Sequence, residues 1–323
     1  MEALLEMTKV SREFFVRRGM FDPRQTSVKA VNEVSLQVFP GETLGLVGES
    51  GCGKSTLARM AVGLLTPSSG EIFLSGRHLQ DWSPQEKAAR IQMVFQDPFS
   101  SFDPRQRVGA GIAEALRFAV REERQNVSAA ACREKVGEIL SLVGLQKEYA
   151  DRYPHEFSGG QRQRLAVARA IVARPDVVVC DEPVSALDAS VQAQVLNLLK
   201  DMQQNMGLGY LFISHDLGVV GFMSSRVAVM YLGRVVEIAG CDELFSHAAH
   251  PYTKALMASA PSRDPFQRGH GLLLSGEMPS PLSPPKGCAF HPRCPQAGTL
   301  CREQEPSVVD LGGGHRVRCH FPL

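Results

Sequence analysis

The sequence has almost no charge of one sign to spare: 35 Lys and Arg stand against 34 Asp and Glu, a formal net charge of +1. No global field draws such a chain onto nucleic acid, so any anion site in it is local. Long hydrophobic runs are missing too. Nowhere do about eighteen apolar residues follow one another, and no segment reads as a helix that crosses a bilayer. The opening, MEALLEMTKVSREF, has no basic stretch followed by a long apolar core, so no secretory signal is expected. A cytosolic setting is the resulting expectation, and its reducing poise argues against structural disulfides among the 8 cysteines. No internal repeat is found, so no unit of the fold is expected twice. What is present, 44% hydrophobic residues over 323 positions, suffices for one large core or two modest domains.

The stretch GETLGLVGESGCGKSTLARMAVGLL runs from an apolar segment, Thr43 to Val47, through Gly48-x-x-x-x-Gly53-Lys54-Ser55, into a helical pattern. That order is strand, phosphate loop, helix. Gly48, Gly51 and Gly53 permit the backbone turns that aim successive N–H groups at phosphate oxygens, with Glu49, Ser50, Cys52 and Thr56 completing the cradle. Lys54 is placed to reach the β- and γ-phosphates of a nucleotide, and the Ser55 hydroxyl to ligate Mg²⁺. Cys52 lies inside this loop, where a thiol reagent is expected to reach it unless nucleotide covers it.

A second apolar run, DVVVCDEP, reads as a buried parallel strand ending in two adjacent carboxylates. Neighbours on a strand point opposite ways, so the two should have different roles. Asp181 meets Mg²⁺ through water, and Glu182 polarises an attacking water.

Between these motifs stands FSGGQRQRLAVARA, which resembles the signature of the ATP-binding cassette (ABC) ATPases. Further matches follow in family order: Gln96 in VFQDP resembles the Q-loop, Asp188 in SALD the D-loop, and His215 in FISHD the switch histidine. The resemblance spans roughly residues 5 to 245. It implies an α/β fold with a RecA-like core, an antiparallel β subdomain and a helical subdomain. It also implies ATP hydrolysis by Glu182, His215 and Gln96, with Gln96 also at the Mg²⁺. A head-to-tail dimer is implied as well, in which Ser158, Gly159, Gly160 and Gln161 of one subunit, with Asp188, close over ATP held by the other. Phe14 resembles the aromatic that stacks on adenine, and the adjacent Phe15 can take that role. The following VRRGMFDPRQTSVKA, polar and carrying Gly and Pro, reads as a loop between two strands.

Residues 1–249 read as the nucleotide-binding domain, with a helical inset at about 97–157 where VGAGIAEALRFAV and ACREKVGEILSLVGL repeat at helical spacing. By the same resemblance this inset receives a coupling helix from a membrane subunit. YLFISHD reads as a strand, and RVAVMYLGRVVEIAG as a strand pair turning at Gly233. Cys132, Cys180 and Cys241 read as core fillers. A DNA-repair or translation ATPase is the rival from another class, but the long coiled-coil insert or second cassette typical of it is missing.

Residues 250–323 read as an extension. HPYTKALMASAPSRDP begins as a short helix, and SGEMPSPLSPPKG is Pro-rich and extended. Together with GCAFHPRC they resemble the C-terminal extension of the ATPases of dipeptide and oligopeptide importers. Phe14 and its loop resemble the second ATPase of the pair. The resemblance implies a peripheral protein on the cytoplasmic face of a bacterial inner membrane, working with a second ATPase subunit, two transmembrane permeases and a periplasmic or extracellular peptide-binding protein. Nickel or another small solute is the alternative cargo.

Cys288, Cys294, Cys301 and Cys319 have 5, 6 and 17 residues between them. A tail this short and poor in large apolar residues needs a metal or docking against the main domain. Wide thiolate spacing without a C-x₂₋₄-C knuckle suits an iron–sulfur cluster better than zinc, and the resemblance implies a [4Fe–4S] cluster. Zinc and unliganded thiols remain open. His291, His315 and His320 can stand in as ligands but read as solvated loop residues.

Overall fold

The computed structural model describes residues 2–17, 25–120, 128–259 and 276–323. The Val-rich run after Asp176 forms strand β7, Val177–Asp181, buried at all five positions. It lies between β6, Ile91–Val94, and β8, Gly209–Ile213, parallel to both. On the other side of β8 come β3, Thr43–Val47, and β9, Arg226–Tyr231, again parallel. Alternation along β7 explains its apolar continuity: Val178 and Cys180 pack on one face of the sheet, Val177 and Val179 on the other. The phosphate-loop helix α1, Lys54–Ala61, sits on the second face, with Leu57, Ala58 and Met60 buried against Leu44, Leu46 and Ile213.

A second sheet, antiparallel, covers that helix, in the order β2 (Gln25–Val38), β1 (Leu5–Arg17), β4 (Ser69–Leu74), β5 (Arg77–His78). The loop expected after Phe15 is shorter than its polarity suggested. Phe15 pairs with Ser27 and Val16 with Thr26, so cross-strand hydrogen bonds extend the hairpin into the polar stretch. Residues 18–24, the rest of that expected loop, lie outside the described residues. Ser83 and Glu86 form a capping box that starts α2, Pro84–Arg90, before β6. The S-P-Q-E order carried that signal.

On the opposite face lie α3 (Val108–Val120), α4 (Ala129–Leu142), α5 (Gly159–Ile171) and α6 (Ala189–Met206). Leu165, Val195 and Leu199 pack there against Val178 and Phe212. Cys132, Cys180 and Cys241 are buried, as expected of core fillers.

β9 turns back into β10, Arg234–Gly240, through Leu232 and Gly233, both with positive φ as a two-residue hairpin requires. Helix α7, Leu217–Met223, precedes β9. Helices α8, Cys241–Ser246, and α9, Pro251–Ser259, follow β10.

The C-terminal segment docks. After α10, Thr299–Glu303, it forms β11, Val308–Gly312, and β12, His315–Arg318, and β12 pairs with β10 through Glu237↔Val317 and Ile238↔Arg316. This hairpin was not legible in sequence because β11 is exposed at all five positions and so shows no buried face. Phe290, 2% exposed, anchors the segment among Tyr231 and Tyr252. His315 corrects the expectation of a solvated histidine. It is 5% exposed, with Nε2 2.8 Å from Glu237 Oε1. The Glu237 carboxylate also accepts the N–H groups of Ala249 and His250 at 2.6 and 2.9 Å. Burying that carboxylate requires such partners.

Candidate nucleotide site

β3 ends at Val47 and α1 begins at Lys54, so the loop between them has six residues to reverse direction. Gly53 adopts φ +109°, and a Cβ there would collide with the Ala30 carbonyl. A Cβ on Gly48 would strike the Met230 carbonyl. Only glycine meets both demands. Lys54 is buried, and its Nζ donates to the carbonyls of Gly48 (2.7 Å) and Glu49 (2.9 Å) and to Cys52 Sγ (3.8 Å). These partners are neutral, so the buried ammonium retains a charge that an anion such as phosphate can answer.

Cys52 departs from its expected reactivity. It is 1% exposed, and burial pushes its thiol up, so the loop shields it without nucleotide.

The Ser55 hydroxyl donates to Asp181 Oδ1 at 3.1 Å, joining residues 126 positions apart. Burial holds the Asp181 carboxyl above the ordinary range, with the Ser55 hydrogen bond opposing that shift. A hydroxyl and a buried carboxylate side by side are the donor set that Mg²⁺ takes at a phosphate loop.

β7 stops at Asp181. Glu182 has φ +49° and donates its N–H to the Ile213 carbonyl at 3.0 Å. The different directions of the two carboxylates therefore come from a left-handed residue at the strand end, rather than from the strand's pleat. Glu182 Oε2 accepts from Gln96 Nε2 at 3.1 Å and lies 3.1 Å from His215 Nδ1. The fold thus brings together all three residues expected to act on the attacking water.

Other expected residues sit elsewhere. Ser158 caps α5: its Oγ accepts from the Gln161 N–H, and the Gln161 side chain accepts from the Ser158 N–H. Among the described residues no hydrogen bond joins Ser158–Gln161 to the phosphate loop. Asp188 caps α6, accepting from the Val191 N–H at 3.0 Å and from Ser190 Oγ at 2.9 Å, and these bonds hold its carboxyl below the usual range. Phe14 is half-buried with the Arg12 guanidinium 5.0 Å from its ring, while Phe15 is 71% exposed. Sequence reading missed Tyr252 and Arg293, whose side chains meet Glu49 of the loop. The groove of about 700 Å³ bordered by Leu4, Ile139, Arg174 and Gly207 includes none of these residues.

Cys288, Cys294, Cys301 and Cys319 all line one cavity of about 10 Å³, beside His291 and His320. His291 Nδ1 lies 3.0 Å from the Cys288 carbonyl and His320 Nε2 2.9 Å from the Gln304 carbonyl, so both rings are engaged by the chain. Burial pushes the Cys288 thiol up to about 11 and raises Cys294 and Cys319. Among the described residues no group of three or more His, Cys, Asp or Glu is arranged to hold a metal ion. The four cysteines expected to hold a metal thus line one cavity, without forming a set of metal ligands among the described residues.

Residues 31–185 match the family described as ABC transporter. The chain belongs to the ABC transporter family. Residues 236–301 match the family described as oligopeptide/dipeptide transporter, C-terminal region. The oligopeptide transport ATP-binding protein AppF of Bacillus subtilis is 47% identical over 331 residues, covering 99% of this chain and 98% of AppF. The dipeptide transport ATP-binding protein DppF of Escherichia coli is 47% identical over 315 residues, covering 97% of this chain and 92% of DppF. Among solved structures, a dimeric ATP-binding cassette in a post-hydrolysis state, bound to ADP and Pi, superposes with TM-score 0.64 at 25% identity. It covers 73% of this chain and 98% of that one. The expected α/β cassette fold is therefore the observed one, and this ABC chain is an ATP-hydrolysing, ATP-binding subunit. Among the described residues no helix is long and apolar enough to cross a membrane.

Proposed function

We propose that this ABC subunit energises import of dipeptides or oligopeptides from the cytoplasmic face of the inner membrane. The observation that carries the reading is the extent of the likeness: similarity to peptide-transport subunits runs through the tail as well as the cassette. Its partners are two permease subunits, an external peptide-binding protein and a second, different ATPase subunit. The nucleotide-binding domain is residues 1–249, the helical inset at about 97–157 meets the permeases, and residues 250–323 are the extension.

The loop amides from Gly48 to Thr56 and the Lys54 ammonium hold the phosphates, Lys54 leaving the Gly48 and Glu49 carbonyls to do so. Ser55, Gln96 and, through water, Asp181 would hold Mg²⁺, which when bound would supply charge neutralisation on those phosphates. Glu182 polarises the attacking water, while Gln96 and His215 fix the orientation of its carboxylate. Ser158–Gln161 and Asp188 close over ATP held by the partner subunit, and Phe14 or Phe15 stacks on the base. Once Lys54 has turned to the phosphates and the partner subunit's signature has closed, transition-state charge is met by fixed donors, which is where most of the catalytic effect arises.

The four tail cysteines take a [4Fe–4S] cluster, with zinc as the alternative; their convergence on one cavity supports this. Loading requires thiolates, so the raised thiols must release protons as metal enters. Iron, zinc and sulfide content of anaerobically purified protein, with Cys294→Ser as control, decides between the two; absence of both metals removes the proposal.

Transport is tested by deleting the gene and measuring uptake of labelled di- to pentapeptides. Uptake is expected to fall and to return with the wild-type chain but not with Glu182→Gln. Intact peptide uptake with lost nickel uptake would transfer the assignment to the small-solute class.

A further inference from the structure

One loop residue ties the phosphate site to the tail. The Glu49 carboxylate accepts from Arg293 Nη1 at 2.9 and 3.1 Å. The Glu49 N–H donates to the Tyr252 hydroxyl at 3.0 Å, and the Glu49 carbonyl accepts from Lys54 Nζ at 2.9 Å. All three polar groups of Glu49 are thus engaged, two of them by residues beyond the cassette. Tyr252 belongs to α9, and Arg293 immediately precedes Cys294 in the segment that Phe290 anchors. Arg293 and Glu49 are 244 positions apart in sequence, and the Arg293 side chain is 5% exposed.

The charges make this contact more than a strut. A loop that receives a polyphosphate carries in Glu49 a carboxylate of the same sign as its ligand. Left alone, that charge would repel the ligand and draw Lys54 to itself. A buried guanidinium in turn needs an anion, and Glu49 supplies it. The Tyr252 hydroxyl holds the Glu49 backbone, so the carboxylate faces the tail.

We infer that Arg293 is a positioning residue of the nucleotide site: it cancels the Glu49 charge and pins the loop in its phosphate-accepting form, making the C-terminal segment part of the ATP site. The inference rests on the reading of Gly48–Thr56 as the ATP-binding loop.

The test is equilibrium binding of ATP to the full-length chain. Arg293→Met should weaken binding about tenfold, equivalent to about 1.4 kcal/mol. Arg293→Lys, which keeps the charge, should stay within about threefold of wild type. The deciding variant is Arg293→Met with Glu49→Gln, which removes the orphaned carboxylate and should restore binding to the level of Glu49→Gln alone. A role confined to holding the tail gives no such rescue. Wild-type affinity in Arg293→Met, a double variant as weak as Arg293→Met, or an equal loss in Arg293→Lys each overturns the inference. If Arg293→Met does not fold, the double variant and Arg293→Lys still decide it. Failure of the wild type to bind ATP would instead bring down the site reading on which the inference stands.

Discussion

His215 Nδ1 lies 3.1 Å from Glu182 Oε2, the same oxygen that accepts from Gln96. A carboxylate engaged from two sides is oriented before any water arrives. Glu182→Gln keeps the shape and loses the basicity. Turnover should fall by about 10²–10⁴-fold while ATP still binds and ATP-bound dimers accumulate. Phosphate release and light scattering check this; normal turnover would remove Glu182 as the base.

Asp181 is held above its ordinary pKa chiefly by burial. For a carboxyl with a raised folded pKa, stabilisation is complete below the unfolded value and is lost as pH rises through the folded one. At neutral pH the ionised, buried group costs the nucleotide-free chain stability. Asp181→Asn should therefore raise the nucleotide-free melting temperature by about 2 °C, while Mg²⁺-dependent hydrolysis drops at least about a hundredfold. A lower melting temperature, or retained hydrolysis, would contradict the assignment.

Gly160 faces α6 so closely that a Cβ would run into Val191 Cγ1. Gly160→Ala should cost about 1–3 kcal/mol and shift the start of α5. Adding Val191→Ala makes room for that methyl and should recover most of the loss. Thermal melts of the two variants measure this, and equal melting temperatures would show that the contact relaxes freely.

His250 is 1% exposed, its Nδ1 accepts from the Tyr252 N–H at 3.0 Å, and burial pushes its pKa down to about 4. The unfolded chain takes up a proton below about pH 6.5 that the folded chain refuses. Stability from this group is whole above pH 6.5 and drains away as pH falls toward 4, by up to about 3 kcal/mol. Melting curves across that window should steepen for wild type relative to His250→Asn; parallel curves would show that another group sets the acid limit.

The sequence by itself determined the phosphate loop, the signature segment and the buried strand ending at Asp181. These are local demands: Gly51 and Gly53 turn the chain through positive φ, Ser158 and Gln161 satisfy a helix end reciprocally, and an unbroken apolar run reads as a buried strand. Such needs are met by neighbours in the chain, so they show in spacing. Tertiary structure decided what no spacing records. It paired Ser55 with Asp181 and set Gln96 and His215 on one oxygen of Glu182. It added β12 to β10, which buried His315 against Glu237, and it brought Arg293 to the phosphate loop. The partner of a buried charge is set by which surfaces meet when the sheet and its docked tail assemble, and that meeting leaves no periodic mark on either segment.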